Sequence, residues 1–192
     1  MKWRLANSLL ILAIFAGAHA QEHSSARPNP PTQPTPNSAR TSDPAGWVSF
    51  DSEAGNFSAL VPQIPEDKVE TTDSSHGPYT THLFITRDNT CVYLIGWVDY
   101  DPSFNFNRQA ELEANRDNFV KGVTATLISS QSLTLMGYSA IEFKAEAGDR
   151  IFWSRVYMVG RRPYQIVVGY PKAGDIPSEA SKFINSFKVR LR

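Results

Sequence analysis

The chain has 192 residues with 19 basic and 19 acidic side chains, so its formal charge is zero. Nucleic-acid binders concentrate positive charge against phosphates, and no basic run here exceeds the pair Arg161-Arg162, which argues against a nucleic-acid partner. A single cysteine, Cys91, cannot form a disulfide within the chain, so stability has to come from a buried core.

Met1–Ala20 opens with Lys2 and Arg4, continues with the short apolar run Leu9–Ala18, and ends in Ala18-His19-Ala20 before Gln21. That pattern predicts a secretory signal peptide at 1–20. The apolar run is too short to cross a bilayer as a helix, and no cysteine follows Ala20 to carry a lipid. The expectation is export to the periplasm or the medium, with no stable membrane insertion after cleavage. Losing Lys2 and Arg4 leaves 17 basic against 19 acidic residues, a faintly acidic mature chain.

Gln21–Gly46 holds Pro28, Pro30, Pro31, Pro34, Pro36 and Pro44 among small polar residues, without a large apolar side chain. Such a segment cannot bury enough surface to fold, and its prolines bias it towards extended polyproline II. It is expected to be a disordered spacer at 21–46. From Trp47 the composition changes, and the remaining 47–192, about 145 residues, is the usual size of one domain.

Trp47–Phe50 and Asn56–Pro62 are short apolar runs with a turn at Ala54-Gly55, which predicts a hairpin. Pro62 and Pro65 then lack the N–H that a ladder needs and stop the second strand. Tyr79–Thr86 and Cys91–Tyr100 are rich in β-branched and aromatic residues and are joined by Arg87-Asp88-Asn89, so they are predicted antiparallel neighbours. Within them Cys91 reads as a small buried apolar group. His82 shares a face with Thr80 and Phe84, as a solvent-facing or satisfied structural histidine.

Arg108–Lys121 is polar and rich in helix formers, with Leu112, Phe119 and Val120 towards one side and Asn115-Arg116 interrupting the stripe. Thr124–Leu135, Ala140–Ala147, Ile151–Val159 and Tyr164–Tyr170 follow as further strands, joined at Met136-Gly137-Tyr138, Ala147-Gly148-Asp149 and Gly160–Pro163. After Pro177, Ala180, Phe183, Ile184 and Phe187 recur at helical spacing. Tyr93 with Trp97, and Trp153 with Tyr157, share strand faces and are expected in the core. The whole predicts an α+β fold, an antiparallel sheet meander flanked by helices.

The chain resembles the PsbP/Mog-type domain in Phe57–Pro62 with Pro65, Leu135–Phe143, Arg155–Tyr164 and Phe183–Phe187. That family includes a plant photosystem accessory protein, a Ran-binding protein and many uncharacterised secreted bacterial proteins. The resemblance implies a non-enzymatic accessory, binding or assembly role and supplies no catalytic motif.

The residues themselves offer little chemistry. No Gly-x-Ser-x-Gly elbow occurs, and after signal removal the histidines are His23, His76 and His82. Nothing calls for a cofactor. Asp99, Asp101 and Asn105 are oxygen ligands in a turn, but the segment lacks the glycine and terminal Glu of an EF-hand loop, so a solvated turn is favoured over calcium. Asn56-Phe57-Ser58 fits the N-glycosylation pattern, meaningful only in a glycosylating host. The expected function is a binding or assembly module for an unidentified protein or small ligand, using Asp99, Asp101 and Asn105 or Arg161 and Arg162, since binding residues gather on loops of rigid scaffolds. The alternatives are a small hydrolase or thiol enzyme using Cys91 or His82, and a carrier of a small apolar ligand between sheet and helix.

Overall fold

Successive side chains of a strand point to opposite faces, which sorts the apolar residues of the central strands onto two sides and fixes the layers of the molecule. The computed structural model describes residues 46–74, 77–105 and 107–190. The expected signal peptide at 1–20, all of the proline-rich stretch except Gly46, and His76 lie outside the described residues.

β1 (Val48–Ser52) and β2 (Phe57–Val61) form the predicted hairpin, and β10 (Lys188–Val189) adds to β2 to make a three-stranded antiparallel sheet. The second sheet has seven strands: β3 (Glu66–Thr72), β4 (Tyr79–Arg87), β5 (Val92–Tyr100), β6 (Thr126–Leu135), β7 (Tyr138–Ala147), β8 (Arg150–Val159) and β9 (Arg162–Pro171). Its order is β3-β4-β5-β9-β8-β7-β6, antiparallel throughout. The expected meander is therefore two meanders, β3–β5 and β6–β9, running in from opposite edges and joined where β5 pairs with β9.

Tyr93, Ile95, Trp97, Tyr164, Ile166 and Val168 point from the central strands towards one side. There they meet Phe57 of β2, together with Phe183 and Ile184 of α2 (Ser178–Ser186) and Phe187 just beyond it. Burying Phe183 and Phe187 contributes roughly 3–6 kcal/mol by area. Leu94, Ile141, Phe143, Val156 and Val167 face the other side, where Leu112 and Phe119 of α1 (Arg108–Gly122) cover them. The central sheet thus lies between α1 and a layer made of α2 and the small sheet, the α+β arrangement expected.

Three local readings are revised. β3 is a strand the sequence did not announce, because its Glu-Asp-Lys-Val-Glu-Thr-Thr lies on an edge and is almost wholly exposed. Phe187 is buried, but as the extended residue that ends α2 rather than part of its stripe. Asn115 does not interrupt the buried face of α1. It is buried, and its amide donates to the carbonyl and the carboxylate of Glu111 at 2.9 and 3.0 Å.

Candidate functional site

The loop after β5 and the turn between β8 and β9, distant in sequence, meet at one end of the central sheet. Gly160 opens that turn with φ +62°, a conformation glycine adopts without strain, and so delivers Arg161 and Arg162 to the end of β5. The Arg161 guanidinium donates to the carbonyls of Asp101 and Pro102, both at 3.3 Å, and of Phe104 at 2.5 Å. It pins the loop by its backbone. Asn107 closes that loop by capping α1, its carboxamide oxygen accepting from the N–H groups of Gln109 and Ala110.

Arg162 works one layer deeper. Its Nε donates to Asp99 Oδ1 at 2.6 Å, and another of its nitrogens reaches the Ala54 carbonyl at 3.1 Å, tying β9 to β5 and to the β1–β2 turn. Tyr164 extends this tie, its hydroxyl donating to the Gly55 carbonyl at 2.8 Å. Burial pushes the Arg162 pKa down, but the Tyr164 hydroxyl and the Asp99 carboxylate outweigh it, and the net shift is upward.

Asp99 Oδ2 faces two further groups, the Trp97 indole N–H at 3.2 Å and His82 Nε2 at 3.4 Å. The His82 ring lies flat on Trp97, 4.3 Å between centroids and 3° between planes, as their register partnership on β4 and β5 allows. His82 is therefore a partnered structural histidine, half-buried. Beside this group Val98, Asp99, Tyr100, Pro102, Arg161 and Arg162 line an open groove of about 280 Å³.

Four of the five expected site residues thus belong to one surface: Asp99 and Arg162 as its ion pair, Asp101 and Arg161 where the loop is pinned. Asn105 is exposed on the same loop. Asp99 and Asp101 serve different partners, since Asp101 folds back onto the Ser103 N–H and hydroxyl at 2.8 and 2.6 Å. Among the described residues no cluster of three His, Cys, Asp or Glu side chains could hold a metal ion. Sequence reading missed the Trp97–His82–Asp99 group, although Trp97 and Asp99 stand two apart on one strand and so share a face.

Cys91 lies immediately before β5 and is 1% exposed. Burial raises its thiol pKa, which suits a packing role rather than a nucleophile. His82 sits opposite Trp97, six residues along from Cys91, so the two are about 20 Å apart at ~3.3 Å per residue and form no dyad. Between sheet and α1, a cavity of about 10 Å³ lined by Leu83, Gly96, Val98 and Asn115 has room for about one water and none for a carried apolar ligand. The Asn56 side-chain amide donates to the Arg190 carbonyl at 2.5 Å, in an exposed position that ties the β1–β2 turn to the residue after β10.

No family model and no curated protein matches this chain. Among solved structures, the solution structure of cyanobacterial PsbP (CyanoP) from Synechocystis sp. PCC 6803 is similar with a TM-score of 0.50 at 11% identity, covering 80% of this chain and 98% of that one. A crystal structure from Bacteroides thetaiotaomicron VPI-5482 reaches only 0.33 at 16% identity, over 74% of this chain and 48% of the other. The fold is PsbP-like. That likeness concerns the architecture and not the groove's chemistry.

Proposed function

We propose that this chain is an exported, non-catalytic binding or assembly module whose partner docks where the Asp99–Asn105 loop meets the Gly160–Pro163 turn. The carrying observation is the pinning of that loop by Arg161 and of Asp99 by Arg162, which turns two loop candidates into one rigid surface beside an open groove. Rigid presentation lowers the ordering cost of binding, and an arginine pair beside Tyr100 and Pro102 offers the residue types that dominate protein contacts. Secretion or a periplasmic location is supported by the Met1–Ala20 pattern, with Gln21–Gly46 as the spacer that presents a single 47–192 domain. The PsbP-like architecture is consistent with an assembly role. An enzyme built on Cys91 or His82 is disfavoured by their separation and by the elevated thiol pKa.

The test is affinity capture from the envelope fraction and culture medium of the producing organism, using the mature chain, the chain without Gln21–Gly46, and Asp101→Lys/Asn105→Lys. The mature chain should retain a partner that the double variant loses. Equal retention by both would refute docking at this surface.

A further inference from the structure

β6 is the last strand of the seven-stranded sheet, and every second residue along it turns its N–H and C=O away from β7. Edges of this kind are templates for pairing, and proteins usually blunt them with charge, proline or a bulge. The opposite edge, β3, follows that rule, with Glu66, Asp67, Lys68 and Glu70 among seven residues. β6 does not. Its ten residues, Thr-Leu-Ile-Ser-Ser-Gln-Ser-Leu-Thr-Leu, contain no charged side chain and no proline. A bulge between Leu127 and Ser129 disturbs only its start and leaves Ser129–Leu135 in regular register with β7. Just outside that regular stretch Leu127 and Ile128 are 40% and 51% exposed at one end and Met136 is 47% exposed at the other, apolar surface that an antiparallel copy would bring together.

We propose that β6 pairs with β6 of a second copy of this chain, antiparallel about a two-fold axis at Ser132, joining two seven-stranded sheets edge to edge. The proposal is independent of the groove. A two-fold at Ser132 places Ser130 against Thr134 and Ser132 against its own copy on the α1 side, and Gln131 against Leu133 and Ser129 against Leu135 on the other. Hydroxyl pairs of the first kind stabilise neighbouring strands, and no like charges meet anywhere along the seam. Main-chain hydrogen bonds carry the affinity of such an addition, and the two-fold is the closed arrangement in which one uncharged strand supplies both sides of the ladder. Pairing with the chain's own 21–45 segment, which has proline-free runs of seven residues at 21–27 and 37–43, would leave the protein monomeric, and the measurement below separates it from the two-fold pairing.

Sedimentation velocity on the mature chain from micromolar to several hundred micromolar tests this, with circular dichroism confirming the fold of each variant. The expected result is a double-mass species at the higher concentrations. It should be lost in Ser132→Lys, which sets two lysines directly opposite each other at the axis. Thr134→Lys, also exposed, should weaken it and stands in if Ser132→Lys fails to fold. Val69→Lys on the β3 edge should leave it intact. A wild type that stays monomeric throughout, a dimer unaffected by the β6 lysines, or one lost in Val69→Lys as well would overturn the proposal.

Discussion

Asp88 closes the turn between β4 and β5 through three hydrogen bonds: the N–H groups of Thr90 and Cys91 donate to Oδ1, both at 2.7 Å, and the Tyr93 hydroxyl donates to Oδ2 at 2.5 Å. Burial pushes its carboxyl pKa up, but the Cys91, Tyr93 and Thr90 bonds together outweigh that, and the net shift is downward from 3.8. A carboxylate with a depressed folded pKa stabilises the fold fully above its unfolded value, and that stabilisation is lost as the pH falls through the folded value. Asp88→Asn should therefore lower stability by about 1 kcal/mol at pH 7, the modest end for charged hydrogen bonds because the group is partly open to water. It should also flatten the decline in stability below pH 3.8, read as thermal melting against pH. An unchanged acid slope would remove Asp88 from this role. Asp99, Asp101, Asn105, Arg161 and Arg162 were visible as loop residues with polar reach, but their convergence was not, because the sheet alone brings positions sixty residues apart together.

Helix α2 is the element most openly written in the chain, since Ala180, Phe183 and Ile184 recur on one face and all three are buried. Phe183 meets Tyr93 edge to face, 5.0 Å between ring centroids, and is fully buried. Phe183→Ala should cost about 3–5 kcal/mol, the usual range for an emptied phenylalanine site, measured by urea unfolding. A loss below 1 kcal/mol would mean that α2 is not a structural cover. Helix α1 was legible from composition, Asn115 being the exception, because a buried amide that finds its partners within the helix looks polar in sequence. β3 was illegible for a related reason. Its place depends on its ladder with β4 rather than on an apolar face, so no periodicity marks it. β10, two residues long, is too short to carry any pattern.

At the level of the whole molecule, the α+β class followed from the order of strand-like and helix-like stretches, whereas the pairing of β5 with β9 did not. Both strands are buried on both faces along most of their length, and such strands carry no local mark of their neighbour. That pairing shapes the candidate site: it sets Trp97 opposite Tyr164 and brings the end of β5 beside Arg162, so the groove is a product of the topology. On the proposed function, this outer surface and not a reactive centre carries the protein's work. Affinity of the captured partner for the wild type, Cys91→Ser and Arg161→Glu tests this. Cys91→Ser is predicted to bind within about threefold of wild type, and Arg161→Glu to lose about tenfold or more, 1.4 kcal/mol. Binding that survives Arg161→Glu but vanishes with Cys91→Ser would contradict it.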